Sequence, residues 1–235
     1  MKYMLGVGFY GAYHNPVQRE LKQRAFALGV LDNMRADPPP DKSVLLICGG
    51  EAPRADMSGW PNDTLAFDNN LGAWSDLVGW HGKPPLKTSL LSGFTATMLE
   101  LALLAYLNES DLIYKEQDVV IHGPWVRQLY ADCGDRQCAL ARSSTRGCLN
   151  GLMLFKHAFI PCLVQDYLRF TFEKPEEKTT EAILYEVMQL KPEAFSYLSF
   201  GSDCERPVPF DAPVWYMHAS THEELDYVEQ RFYTL

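Results

Sequence analysis

Residues 112–121 read Leu-Ile-Tyr-Lys-Glu-Gln-Asp-Val-Val-Ile and join two strand-like runs through a pair of carboxylates. The apolar and aromatic residues before Glu116 and the β-branched run after Asp118 both predict strands. Glu116 and Asp118 therefore stand at the end of a buried strand, where the ligands of α/β sheets collect. Two carboxylates at such a point suit a divalent cation. They could equally cap a turn, since an acidic-x-acidic triplet is common by chance.

The composition is that of a folded protein with an acidic balance. Of its 235 residues 47% are hydrophobic and 22% charged, and the net charge is −9. Such a charge provides no global positive field that would attract nucleic acid or an anionic membrane. The six cysteines show neither a CxxC pair nor a zinc spacing, which favours reduced thiols. The apolar segments are too short for a signal peptide or a transmembrane helix, so we expect a cytoplasmic protein.

Strands and helices alternate ahead of the two carboxylates. Residues 4–9 predict a buried strand, and Asn15 followed by Pro16 predicts a helix start, with Gly29 near the end of that helix. A second strand over 43–48, a brief one over 64–67 and a helix starting after residue 89 or 92 precede the acidic strand. These strand–helix passages place the acidic strand near the middle of a mostly parallel sheet.

Two loops in this first half are candidates for nucleotide binding. Tyr10 and Gly11 follow the first strand, and Asp68 and Asn70 follow the brief strand at 64–67. Loops that leave the carboxyl ends of neighbouring strands border the ligand of an α/β sheet, so we expect these residues beside a base and a ribose. For the second loop an Asx-turn is the simpler alternative, because Asn and Asp satisfy their own backbone in turns.

The second half of the chain contributes three further candidate features. Asn150 and Gly151 interrupt a strand-like run over 147–155 and allow a bulge or a close approach of a ligand. Glu176 and Glu177 precede a helix over 180–190, where the helix dipole favours carboxylates in any case. His218 ends a strand over 214–217, a position that more often holds a hydrogen-bonded surface histidine than a metal ligand.

The order of these elements resembles the sugar-nucleotide-dependent glycosyltransferases of the GT-A fold. In that family an aliphatic strand ends in a DxD motif, which binds a metal ion and the donor diphosphate. The matching triplet here is Glu116-Gln117-Asp118, with Glu in place of the first Asp. This departure makes Asp118 the stronger candidate for direct metal binding.

The resemblance assigns further roles by position. It implies that His218 completes the metal site, and that Asn150 and Gly151 line the acceptor pocket. It also implies that Glu177 or Glu176 is the general base if the enzyme inverts configuration. If the enzyme retains configuration, no such base is required and both glutamates are structural.

Taken together with this resemblance, the sequence predicts a single α/β domain over 1–235 with a GT-A, Rossmann-like, mostly parallel sheet flanked by helices. Residues 1–122 would form the nucleotide-sugar half and residues 123–235 the acceptor half. The expected activity is a transfer, dependent on Mn²⁺ or Mg²⁺, of sugar from a nucleotide-diphosphate sugar to a hydroxyl acceptor. The acceptor stays open among saccharides, lipid-linked molecules, proteins and modified nucleic acids. A nucleotidyltransferase and a non-catalytic nucleotide-sugar-binding protein are the alternatives.

Overall fold

A central sheet of seven strands and a separate two-stranded ribbon make up the β-structure in the described part of the chain. The computed structural model describes residues 1–11, 15–50, 53–56, 64–65, 93–142, 148–173, 180–200 and 207–233. The strands are β1 (Tyr3–Gly11), β2 (Lys42–Gly50), β3 (Thr64–Leu65), β4 (Asp111–Glu116), β5 (Val119–His122), β6 (Cys138–Ala141), β7 (Leu149–Phe155), β8 (Phe195–Tyr197) and β9 (Trp215–His218).

The sheet has the order β3-β2-β1-β4-β7-β6-β8, and β7 is antiparallel to both of its neighbours while the other pairings are parallel. This confirms the mostly parallel sheet and the central position of the acidic strand. The helices are α1 (Pro16–Met34), α2 (Gly93–Leu107), α3 (Trp125–Cys133), α4 (Ile160–Glu173), α5 (Thr180–Leu190) and α6 (His222–Val228), and a π-helical segment Glu229–Tyr233 follows α6. Within the described residues no helix combines the length and the apolar character needed to cross a bilayer.

Helices cover both faces of the sheet, and β4 shows why. Leu112 and Tyr114 pack into a core formed with α2, α4 and α5, whereas Ile113 packs into a second core formed with α1 and α3. Side chains alternate between the two faces of a strand, so a run that is apolar at every position is buried on both sides. By the same alternation Lys115 points towards α1.

Helix α1 begins as the sequence predicts and ends later than expected. The Asn15 side chain accepts hydrogen bonds from the backbone N–H groups of Val17 and Gln18 at 2.9 and 3.4 Å. The helix then continues past Gly29 to Met34, so the predicted end near Gly29 is wrong. A Cβ at position 29 would lie 2.9 Å from the Lys115 ammonium nitrogen. The glycine thus leaves room for the Lys115 ammonium beside the helix and does not end the helix.

The ribbon forms a second layer beside the end of β4. After Glu116 a two-residue turn leads into β5, which pairs antiparallel with β9 and not with the central sheet. Val119 pairs with His218, and His122 pairs with Trp215. The ribbon packs on α1 and α6, where Val120, Trp215 and Leu225 share a core. The chain therefore leaves the sheet at the two carboxylates.

Candidate metal centre and active site

Glu116, Asp118 and His218 converge at the end of β4. Each offers one ligand atom, and these atoms all lie within 4.8 Å of one another. The His218 Nε2 atom is 2.5 Å from Asp118 Oδ2 and 3.6 Å from Glu116 Oε2. The structure therefore brings together all three residues predicted to bind metal.

Strand pairing in the ribbon produces this convergence. The backbone N–H of Ala219 donates to the Asp118 carbonyl at 2.9 Å, directly beyond the Val119–His218 pair. The chain segments around Asp118 and His218 are thereby held side by side. The histidine is about 22% exposed and contacts both carboxylates, so it belongs to the cluster and is not an isolated surface residue.

The cluster contains a fourth charged residue, which the sequence analysis did not identify. Lys22 of α1 forms an ion pair with Asp118 Oδ2, the carboxylate oxygen that also faces His218. The side chain of Asp118 is only 4% exposed and that of Lys22 is 16% exposed. The sequence offered a signal for the position of Lys22. Lys22 precedes Phe26 by one helical turn, and residues four apart lie on the same face of a helix, so Lys22 lies near the buried side of α1.

The donor set fits a divalent cation. Carboxylate oxygens are the ligands that Mg²⁺ and Mn²⁺ prefer, and an imidazole nitrogen suits transition-metal ions. Two carboxylates face one ammonium here, so the four side chains carry an excess of negative charge when His218 is neutral. The buried position of Asp118 adds to the attraction of a cation, since charges interact more strongly away from water.

A fully buried polar network lies behind this cluster on the α1 side of β4. The ammonium of Lys115 donates to the Gly29 carbonyl at 3.1 Å and to Asn33 Oδ1 at 3.2 Å. Burial lowers the pKa of Lys115 to about 8, and the nearby Asp32 carboxylate opposes that shift. The network connects the residue immediately before Glu116 to the first helix.

Asp32 extends the network to the ribbon and the C-terminal segment. Its carboxylate accepts a hydrogen bond from the backbone N–H of Ile121 at 2.8 Å and one from the Tyr233 hydroxyl. Burial raises the pKa of Asp32 to about 6, while the charge of Lys115 and the two hydrogen bonds lower it. Helix α1, strands β4 and β5 and the π-helical segment are therefore tied together around the turn that carries Glu116 and Asp118.

Comparisons with known proteins match the fold and not the sequence. No family model matches the chain, and no curated protein matches it. An active-site mutant of LgtC superposes with a TM-score of 0.59 at 14% identity, covering 99% of this chain and 97% of that chain. The galactosyltransferase LgtC in complex with donor and acceptor sugar analogues gives 0.55 at 15% identity with the same coverage. The apo form of the glycosyltransferase GlyE from Streptococcus pneumoniae gives 0.54 at 14% identity, covering 94% of this chain and 55% of that chain.

The chain has the GT-A fold. Strands β1 and β4 are parallel neighbours, so they end side by side. The predicted nucleotide-binding residues Tyr10 and Gly11 lie at the end of β1. Gly8 pairs with Glu116, and the strand continues to Gly11, which pairs with Gly50 of β2. Tyr10 and Gly11 are thus the last residues of β1 and not loop residues, because the parallel pairing with β2 extends further than expected. Their role in binding stays a prediction.

The predicted acceptor residues reach the same edge of the GT-A sheet from β7. Leu152 pairs with Lys115, so Gly151 lies one residue further towards the Glu116 end of β4. The register between β6 and β7 shifts between Leu140, which pairs with Met153, and Ala141, which pairs with Leu149, so the strand is irregular where Asn150 and Gly151 allow a bulge. Whether these residues contact an acceptor stays a prediction.

Four predicted site residues, Asp68, Asn70, Glu176 and Glu177, fall outside the described residues. Helix α5 begins at Thr180, as the sequence predicts, and Glu181 is the acidic residue in its first turn. The binding and general-base roles assigned to the other four residues therefore stay predictions.

Proposed function

We propose that the protein is a metal-dependent glycosyltransferase that moves a sugar from a nucleotide-diphosphate sugar to a hydroxyl acceptor. The observation that carries the proposal is the meeting of Glu116, Asp118 and His218 at the end of the central strand of a GT-A fold. An acidic pair alone would be weak support. A histidine 100 residues from Asp118 that contacts both carboxylates strengthens the support for a cation site.

Glu116, Asp118 and His218 would hold the cation. When bound, it would stabilise the negative charge of the departing diphosphate. Because the set combines carboxylates with an imidazole, it favours Mn²⁺ over Mg²⁺. Asp118 is the principal ligand, since it is the more buried carboxylate and contacts His218 most closely.

The remaining site residues divide between two halves of the domain. In the first half, residues 1–122, we place the nucleotide beside Tyr10 and Gly11, with Asp68 and Asn70 at the ribose or base. In the second half, residues 123–235, we place the acceptor beside Asn150 and Gly151. The support is positional and concerns Tyr10, Gly11, Asn150 and Gly151, because β1 and β7 carry them near the end of the sheet where β4 ends in Glu116. The saccharide, lipid-linked, protein and modified nucleic acid classes of acceptor all stay open.

A general base is needed only if the reaction inverts configuration, and Glu177 or Glu176 is our candidate. A positioned carboxylate that accepts the acceptor proton typically contributes about 10² to 10⁴ in rate. We therefore expect one of Glu176→Gln and Glu177→Gln to lower the turnover number by at least about 100-fold without changing donor affinity. Full turnover in both variants would leave these residues with a helix-capping role.

A panel of sugar nucleotides, each with and without Mn²⁺, tests the proposal by thermal shift. A ligand at about 100 times its dissociation constant stabilises the folded state by about 2.7 kcal/mol, and the shift should require the metal. Product analysis then separates the alternatives, because a glycosyltransferase releases a nucleoside diphosphate and a nucleotidyltransferase releases pyrophosphate. The absence of stabilisation by every sugar nucleotide, with and without metal, would contradict the proposal.

A further inference from the structure

The candidate metal centre contains a cation of its own. The ammonium of Lys22 pairs with Asp118 Oδ2, and the same oxygen faces the Nε2 atom of His218 at 2.5 Å. A carboxylate oxygen has few lone-pair sites, and an ammonium, an imidazole and a metal ion would all use those on the inner side of the cluster. The Lys22 ammonium therefore competes with a metal ion for Asp118.

The competition is significant because the pair is largely removed from water. With side-chain exposures of 16% for Lys22 and 4% for Asp118, the attraction is much stronger than between surface charges. Leaving a buried carboxylate without a counter-charge is costly, and in the metal-free protein Lys22 avoids that cost. A metal ion that takes over the carboxylate removes the need for the ammonium and leaves it with a new positive neighbour.

We propose that Lys22 is a built-in counterion that occupies the cation position in the metal-free protein and transfers to the diphosphate of the nucleotide ligand once the metal binds. The inference rests on the proposed function and adds to it a role for a residue of the first helix. A lysine suits this role because its flexible stem carries a compact charge that can move between acceptors and bind phosphate.

The helix itself need not move. Its N-terminus is capped by Asn15, and its last turns are held by the buried contacts of Asp32 and Asn33 with Ile121 and Lys115. Lys22 lies between these two anchored regions. A change of partner therefore requires only new rotamers of one side chain, and the predicted change is local to the site.

The proposal predicts opposite effects of one substitution on two ligands. Lys22→Met removes the competitor, so we expect Mn²⁺ alone to bind at least about fivefold more tightly than to the wild type. The same variant loses a diphosphate contact, so pyrophosphate should bind the Mn²⁺-saturated protein at least about fivefold more weakly. Lys22→Gln should show the same two signs and serves as a second variant if the methionine variant does not fold.

Lys156→Met is the matched control. It removes the same charge by the same substitution, but Lys156 follows the far end of β7 and donates to the Gly134 carbonyl at 2.7 Å on the exposed surface. Because exposed charges are screened beyond about 10 Å, both affinities should stay within about twofold of wild type. Free Mn²⁺ measured by electron paramagnetic resonance gives the first affinity, and calorimetric titration of the Mn²⁺-saturated protein with pyrophosphate gives the second.

The possible results separate this inference from the proposed function. Weaker or unchanged Mn²⁺ binding in both Lys22 variants would overturn the inference, because it would make Lys22 a permanent support of Asp118 or a bystander. Unchanged pyrophosphate affinity would overturn the transfer to the diphosphate. If the wild type itself bound no Mn²⁺, that result would contradict the proposed metal dependence. It would also overturn this inference, because the inference rests on that function.

Discussion

Two polar regions flank the end of β4, and each pairs a lysine with aspartate. The buried network consists of Lys115, Asp32, Asn33 and Tyr233. The edge cluster consists of Lys22, Glu116, Asp118 and His218. In both regions one charged residue comes from α1 and another from the segment formed by β4 and β5. They differ in charge balance and in access to solvent.

In the buried network the charges of Lys115 and Asp32 balance, and both side chains are almost inaccessible to solvent. Each also uses a backbone partner, the Gly29 carbonyl and the Ile121 N–H. The edge cluster has two carboxylates against one ammonium, and Glu116 and His218 are partly exposed. Buried polar groups that satisfy one another stabilise a single arrangement, whereas an accessible excess of negative charge attracts a ligand. The contrast supports a structural role for the first region and the proposed binding role for the second.

The largest expected effect is on the edge cluster. Asp118→Asn should abolish Mn²⁺-dependent turnover and leave the fold intact. It should weaken Mn²⁺ binding by more than about 10–100-fold, which is the typical loss when a residue that only supports a metal ligand is replaced. Glu116→Gln should cost less, because its carboxylate is more exposed and farther from His218. Mn²⁺ affinity, steady-state kinetics and circular dichroism check this. Turnover of Asp118→Asn within a few-fold of wild type would remove the basis for the metal site.

The next effect is on the buried network and on stability. Lys115→Met should lower the free energy of unfolding by about 3–5 kcal/mol, because it leaves Asp32 buried without its counter-charge. The double variant Lys115→Met with Asp32→Asn should recover part of this loss, since no buried charge is left. Urea denaturation of the single and double variants measures both. A single variant as stable as the wild type would show that the network is not a structural element.

The smallest effect is a pH dependence of stability that arises from Asp32 in the buried network. Burial raises the pKa of Asp32 to about 6, so between about pH 4 and pH 6 the native state keeps a proton that the unfolded chain releases. The stability contribution of this group is therefore lost as the pH rises through that window. The difference in unfolding free energy between the wild type and the double variant should fall by about 1–3 kcal/mol from pH 4 to pH 6. Parallel pH profiles of the two proteins would contradict the shift.

The sequence predicted one part of the edge cluster directly. Glu116 and Asp118 could be placed at a strand end, because strand propensity and apolar runs are local properties. Lys22 and Lys115 were not recognised as site or network residues, since a lysine in a helix or at the end of a strand is ordinarily solvated. The alternation of side chains along β4 could have shown that Lys115 faces a helix. It could not have shown which groups of that helix accept hydrogen bonds from its ammonium.

Several elements of the chain were determined by the sequence alone. Asn15 and Pro16 start α1, and the apolar runs of β1, β2 and β4 are buried on both faces, because caps and periodicity act between residues that are near in sequence. The alternation of these elements sufficed to predict a mostly parallel sheet with the carboxylates at its central strand.

Only the tertiary structure decided what surrounds those carboxylates. Strand β6 has the sequence Cys-Ala-Leu-Ala, without β-branched or aromatic residues, and it exists because β7 and β8 pair with it on either side. Likewise the ribbon joins Asp118 to His218 across 100 residues, and α1 brings Lys22 to the same oxygen. Such pairings depend on how layers pack and on which distant backbone groups remain to be satisfied, and no local pattern of residues specifies them.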